Sequence, residues 1–363
     1  MSDFHTPLCD LLGCRYPIVQ TGMGWVTGSS LVAATTNAGG FGFLAGATIP
    51  ADRIEAEIVR VRELTEDRPF GLNFHMFQPN AAQLLDLAVK HRIRAVSYGR
   101  GPDKKVIGRL RDAGIVCMPT VGALKHALKA IEMGANVITV QGAEGGGHTG
   151  GVPTTVLLPQ VLDAVRVPVV AAGGFYDGRG LLAALAYGAQ GVAMGTRFLM
   201  TSDNDVPAAT LERYLKTRDA EKIQVSYLLD GMPQRMIPNE YLAMLEQASP
   251  LKRLRMGLGL ALRYKAQTGM SGAQALKVLW QGLRDGASGV AQTVMAANAP
   301  MLLQRSMIEG KPAEGVMAAG QVAALIDRLQ SCSEVIEGII AQARERRDAL
   351  LTLTAQTVEE THV

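Results

Sequence analysis

One segment concentrates the residues able to do chemistry: Gln141-Gly142-Ala143-Glu144-Gly145-Gly146-Gly147-His148-Thr149-Gly150, directly after the β-branched run Val137-Ile138-Thr139-Val140. Backbone without side chains can lie flat against a planar ring or a phosphate. His148 adds a group that titrates near neutrality, suited to moving a proton beside a carbonyl or a carbanion. Substrate binding and loop scaffolding are its other uses. It alone of the six histidines stands in a glycine loop at a strand end. His75 follows Asn73 at another strand end and is a candidate substrate contact. His5, His91, His126 and His362 lie in helix-like or terminal contexts and read as solvated.

Two more glycine turns, Ala172-Gly173-Gly174-Phe175 and Gly195-Thr196-Arg197, each end a β-like run. Backbone N–H groups and a hydroxyl at such turns make a phosphate cradle, with Gly173, Gly174, Gly195 and Thr196 as donors. The alternative is that these glycines only tighten strand-to-helix turns. Tyr176-Asp177-Gly178-Arg179 opens a helix whose N-terminal dipole would also favour an anion. Arg197 either pairs with the phosphate or bonds loop carbonyls. The amides of Asn73, Gln141 and Gln20 can donate and accept toward a heterocycle, or satisfy loop backbone.

The elements that must position these groups are eight short β-like runs: Pro17–Gln20, Gly42–Leu44, Phe70–Phe74, Ala95–Tyr98, Val116–Thr120, Val137–Gln141, Val167–Ala172 and Gly191–Met194. Helix-like stretches separate them, the pattern of βα units, and eight such units close a (β/α)8 barrel. Most runs end in glycine or polar residues, including Thr21-Gly22-Met23-Gly24, Ala45-Gly46 and Gly99-Arg100-Gly101, and in a barrel those ends share one rim. Residues 222–238 read as a hairpin around Asp230-Gly231, and 239–295 as a helical cap. Methionines at helical spacing over 232–317 read as core. Ala313 to about Ala355 reads as two helices broken near Ser331-Cys332-Ser333, with Ser333 as N-cap, packed back on the barrel. The expected organisation is a barrel over 1–205 and 312–363, with a hairpin and helical substrate cap over 206–311.

Composition narrows the function. With 363 residues, 48% hydrophobic, and a net charge of only +3 spread without a stripe, the chain suits a small-molecule substrate rather than nucleic acid. Four cysteines without C-x-x-C spacing favour reduced thiols in the cytosol. No apolar stretch approaches the roughly 20 residues that span a bilayer, and the start lacks a signal-peptide pattern. A cytoplasmic protein is therefore expected, away from membranes. Neither a metal-ligand pattern, a P-loop nor a Rossmann fingerprint is present.

These motifs together resemble the nitronate monooxygenase (2-nitropropane dioxygenase-like) family of FMN-dependent TIM-barrel enzymes, which also includes flavin-dependent enoyl-ACP reductases and NADH:quinone reductases. The resemblance is carried by 17–24, Phe70-Gly71-Leu72-Asn73, 141–150, 171–174, 188–198 and Gly320-Gln321. It implies that Asn73, Gln141, Gly146, Gly174, Gly195 and Thr196 hold FMN, that Met23 and Gly24 lie beside the flavin, and that His148 is a general base or substrate-polarising residue. Thr21-Gly22-Met23 in place of the family's Ala-Pro-Met, and a longer cap, set the chain apart from typical nitronate oxidases. Segments 21–26, 145–150, 173–180 and 297–303 are similar to a subgroup of bacterial steroid catabolism acting on C and D ring remnants as coenzyme A thioesters.

The implied function is an FMN-dependent oxidoreductase of a carbonyl-conjugated substrate, a steroid-derived acyl-CoA, with His148 as general acid/base. Alternatives are a nitronate monooxygenase using O2 and an NAD(P)H-dependent quinone or enoyl-thioester reductase. A barrel that binds a phosphate ligand without catalysis is the non-enzyme reading, and a homodimer is the candidate assembly.

Overall fold

The computed structural model describes residues 3–75, 80–99, 104–249 and 299–360. In chain order its strands are β1 (Ile18–Gln20), β2 (Phe41–Ala45), β3 (Gly71–Phe74), β4 (Ala95–Tyr98), β5 (Val116–Val121), β6 (Ile138–Gln141), β7 (Gly147–His148), β8 (Val169–Ala172), β9 (Gly191–Met194), β10 (Gln224–Ser226) and β11 (Gln234–Met236). Eight of them form a closed parallel barrel in the order β1-β2-β3-β4-β5-β6-β8-β9. The register Ile18↔Val192, Val19↔Ala193 and Gln20↔Met194 seals it. All eight expected runs are barrel strands. They were readable because strands covered on both faces are written as near-continuous apolar runs, and β2, β4, β8 and β9 are buried along their whole length.

Inside the barrel Val19, Phe41, Phe43, Ala95, Val116, Met118, Val170 and Ala193 pack with Leu8 and Leu12 of the helix Pro7–Leu12. Large and small residues alternate there. Phe41 and Phe43 meet edge to face at 5.2 Å, and a Cβ on Gly71 would overlap the Phe43 ring.

Contacts divide the chain into two compact units: residues 1–145 with 150–205 and 326–363, and residues 146–149 with 206–325. The chain thus returns to the first unit at Ile326, where the sequence suggests 312, and the four residues around His148 belong to the second unit. That second unit contains a three-stranded sheet, β10-β11-β7, whose β10–β11 hairpin is antiparallel with Gln224↔Met236 and Ser226↔Gln234. Met236, Tyr241, Leu242, Leu245, Leu302 and Val316 make its core. Of the expected cap helices, Glu240–Gln247 is present, started by Asn239 Oδ1 accepting from the Leu242 N–H at 2.9 Å; residues 250–298 lie outside the described residues. So do Arg100 and Gly101 of the expected rim.

The C-terminal reading needs two corrections. In place of a helix from Ala313 there is only the 3-10 turn Gln321–Leu325. Residues 316–319 run alongside β11 instead, with Ile237 N–H donating to Met317 O at 2.9 Å and Ala319 N–H to Arg235 O at 3.3 Å, and this ladder outcompetes local helix propensity. The one long helix, Cys332–Glu360, is capped by Ser331 rather than Ser333. Glu334 N–H donates to Ser331 Oγ at 3.2 Å, and Ser331 N–H donates to Glu334 Oε2 at 2.7 Å, a reciprocal capping box.

This helix packs on the helices Gly178–Tyr187 and Ser29–Asn37. Among the described residues no helix is long and apolar enough to cross a membrane. The closest approach is at Gly178, whose N–H donates to Gln342 Oε1 at 2.7 Å and where a Cβ would collide with the backbone at Ile339 and Ala343. Backbone cannot swing aside as a side chain can. Gly178→Ala should therefore cost about 1–3 kcal/mol of stability, read as a lower denaturant midpoint, while Gly338→Ala, which meets nothing within 4 Å, should leave the midpoint unchanged or raised.

Candidate active site

In a (β/α)8 barrel the loops after the strands carry ligands. After β1, the chain through Thr21–Gly24 and Trp25 is held by two threonine hydroxyls: Met23 N–H donates to Thr27 Oγ1 at 3.0 Å and Trp25 N–H to Thr48 Oγ1 at 3.1 Å. Trp25 has φ +65°, an uncommon conformation for a bulky residue that these contacts support. At Gly22 a Cβ would overlap the Asn73 side chain. Asn73, at the end of β3, donates its amide to Ser97 Oγ at 2.8 Å and Ser97 O at 3.2 Å. Ser97 is a supporting residue with no sequence signal, because its role depends on β4 lying beside β3 in register. Gln20 is fully buried; its Nε2 donates to Thr21 O and Phe43 O, and its Oε1 has no protein partner.

On the other side of the barrel Gln141 ends β6, and its side chain lies beneath Gly145, where a Cβ would stand 2.6 Å from Nε2. Glu144 accepts from the Thr154 N–H at 3.0 Å and from its hydroxyl at 2.8 Å, so the loop carboxylate starts the helix Thr154–Ala164. Gly173 has φ +89°, and a Cβ there would come within 2.9 Å of Gly142 backbone: this glycine serves a tight approach between loops. Gly174, at φ +83°, makes only ordinary contacts at 3.6 Å or more, so its backbone conformation alone demands glycine. Gly195 starts the short helix Thr196–Leu199, and its Cβ would stand 3.1 Å from Thr21 Oγ1 and 3.4 Å from Met23 Sδ. Met23 and Gly195 are thereby neighbours.

Arg197, His75 and Gly146 are also among the described residues. Arg197 is buried and donates to Met200 O at 2.7 Å, and burial lowers its pKa to about 10; it bonds a loop carbonyl, one of its two sequence readings. His75 is exposed, with Cε1 3.7 Å from the Cβ position of Gly99. Gly146 belongs to the second unit, where its missing side chain allows the backbone of Ala319 and Gly320 to lie against it.

His148 is the exposed member of a polar cluster in the second unit. β7 pairs antiparallel with β11 so that His148 stands opposite Gln234. His148 Nε2 lies 2.6 Å from Asp230 Oδ2, which also accepts from Gln234 Nε2 at 2.8 Å, while Oδ1 accepts from the Met232 N–H at 3.0 Å. The side chains are 56% and 8% exposed for His148 and Asp230 respectively. Sequence reading found Asp230 only as a turn residue: its partner is 82 positions away in the chain, and no local pattern reports a cross-strand pair at that distance.

Burial is the largest influence on the Asp230 carboxyl and pushes its pKa up, but the hydrogen bond and charge of His148, the Met232 N–H and the Gln234 amide outweigh it, and the net shift is downward. A carboxyl with a depressed folded-state pKa contributes stability that is complete above its unfolded value of about 3.9 and is lost as pH falls through the folded value. Wild type should therefore exceed Asp230→Asn in urea midpoint at pH 7, with the gap closing below about pH 4. A gap independent of pH would show that the carboxylate's charge is not what stabilises this cluster.

The chain matches the nitronate monooxygenase family model over residues 5–90 and 81–342. It is 46% identical over 355 residues to a Rhodococcus jostii protein named (3aS,4S,5R,7aS)-5-hydroxy-7a-methyl-1-oxo-octahydro-1H-indene-4-carboxyl-CoA dehydrogenase, spanning 98% of this chain and 100% of the relative. The Mycobacterium tuberculosis protein of the same name is 45% identical over 350 residues, 93% and 96% of the two chains. FabK from Thermotoga maritima superposes with a TM-score of 0.77 at 29% identity over 96% of this chain and 99% of its own. Nitroalkane oxidase from Streptomyces ansochromogenes gives 0.73 at 28% over 94% and 99%. With the eight-stranded barrel, its glycine-bearing strand ends and these matches together, the chain belongs to the nitronate monooxygenase family and is an oxidoreductase.

Proposed function

We propose that this protein is an FMN-dependent dehydrogenase of a steroid-derived bicyclic CoA thioester, of the kind named for its Rhodococcus and Mycobacterium relatives. The observation that carries this reading is identity of 46% across 98% of the chain and the whole of a relative so named, which includes the region after Asp205 that the cap readings concern. The hairpin and helices of that region are the candidates for recognising the acyl part.

The barrel end has the donor set that a flavin phosphate and ring system require. Gly174 and Gly195 bring bare backbone to the rim and Thr196 adds a hydroxyl. We assign FMN binding to Met23, Gly24, Asn73, Gln141, Gly173, Gly174, Gly195 and Thr196. FMN, when bound, supplies the two-electron oxidant. His148 takes up the proton that leaves the substrate, and a dehydrogenase needs such a base because removing hydrogen as hydride leaves a proton to be placed.

The direct test is the visible spectrum of the purified protein before and after anaerobic addition of the hydroxy-oxo-indane carboxyl-CoA. Flavin that bleaches with the thioester supports the reading. Flavin bleached by NADH or NADPH and inert to the thioester would assign a reductase, oxygen uptake with an alkyl nitronate in its place would assign a nitronate monooxygenase, and protein colourless after FMN reconstitution would remove the enzyme reading. In the active protein His148→Ala should lower turnover about 10²–10⁴-fold with flavin retained.

A further inference from the structure

The cluster around His148 defines which of its two nitrogens can act. Three polar atoms converge: His148 Nε2 is 2.6 Å from Asp230 Oδ2, Gln234 Nε2 is 2.8 Å from the same oxygen, and the two nitrogens are 3.2 Å apart. An ionised carboxylate accepts hydrogen bonds and cannot donate. Asp230 is held in that form by the donors around it. Both nitrogens are therefore donors to one oxygen, and their mutual 3.2 Å is the spacing of two donors side by side. The proton of the neutral ring lies on Nε2, and the lone pair on Nδ1.

The carboxylate has little freedom to move. Its second oxygen is held by the Met232 N–H at 3.0 Å, one residue past the Asp230-Gly231 turn, where Gly231 has φ +77°. Gln234 is fixed in turn by its place on β11, directly opposite His148. Arg235, the next residue on β11, turns its guanidinium to Ile223 O at 2.6 Å. Beside the ring, Asp230 supplies a charge and Gln234 a neutral donor.

We propose that Asp230 and Gln234 are a positioning pair that holds His148 in the Nε2–H tautomer and so makes Nδ1 the atom that accepts the substrate proton. This rests on the reading of His148 as the proton-moving group. Once Nδ1 is protonated the ring carries a positive charge, with Nε2 still donating to the Asp230 carboxylate at 2.6 Å. Gln234 keeps the carboxylate turned to the ring while that happens.

Long-range ¹H–¹⁵N correlation spectra of the full-length, histidine-labelled protein test this, taken at a pH where the ring is neutral, with the His148 signals identified by their loss in His148→Gln. The expected wild-type pattern is that of the Nε2–H tautomer; in Asp230→Asn it becomes a mixture with Nδ1–H, and in Asp230→Glu the wild-type pattern is kept. The kcat of Asp230→Asn should fall with KM little changed, by less than the loss in His148→Ala. A wild-type Nδ1–H pattern overturns the proposal and needs no variant to fold; an unaltered pattern in a folded Asp230→Asn overturns it also. The spectra need no substrate, which separates the two readings. The expected tautomer in a protein inert to the thioester would retire the functional reading alone, and a wrong tautomer in a protein whose turnover requires His148 would retire the positioning pair alone.

Discussion

Closure of the parallel sheet between β9 and β1 governs the geometry of everything at the barrel rim. Pairing Gln20 with Met194 joins the first strand to the last, across more than 170 residues of chain, and sets their following loops side by side. The Thr21–Gly24 loop then reaches Gly195, which tolerates it because it lacks a side chain at a point 3.1 Å from Thr21 Oγ1. The same registered pairing around the ring brings Asn73 to Ser97 and Gln141 to Ala172. An open sheet of the same strands would leave Gln20 and Met194 at opposite edges.

Glycine in this protein does two jobs that look alike in the sequence. At Gly22, Gly142, Gly173 and Gly178 a side chain would collide with another part of the protein; these positions let elements approach. At Gly174 and Gly147 the positive φ is the requirement, and space beside the backbone is ordinary or open. The second kind leaves ordinary or open space on the side where a Cβ would stand. The glycine-rich stretch from Gly142 to Gly150 mixes both, which is why its density alone overstates how much of it faces a ligand.

The loop also changes partners along its length. Glu144 caps the helix Thr154–Ala164, while Gly147 and His148, a few residues on, are a strand of a different sheet, paired with β11. The connection between β6 and β8 thus ties a catalytic candidate to Asp230 and Gln234, which come from far along the chain. His148 therefore gains an acidic partner without an acidic residue in helix-turn spacing near it, and the hairpin Asp-Gly turn, whose residue types are those of any tight turn, acquires a chemical role.

By itself the sequence determined the barrel and much of its rim. Strands buried on both faces must be apolar throughout, turns at their ends must be small or polar, and eight repeats of that pattern admit few other folds; the strand ends at Asn73, Gln141, Gly173 and Gly195 followed from it. Tertiary structure decided what depended on partners distant in the chain. Residues 316–319 became a ladder on β11 because hydrogen bonds to an existing strand outweigh local helix preference. Ser331 became the cap because Glu334 closes the box from inside the helix. Arg197 was drawn into a buried bond with Met200 O. His148 was legible as a titratable group in a glycine loop, but its tautomer depends on Asp230, and a hydrogen bond of 2.6 Å between residues 82 apart exists only once two strands have paired.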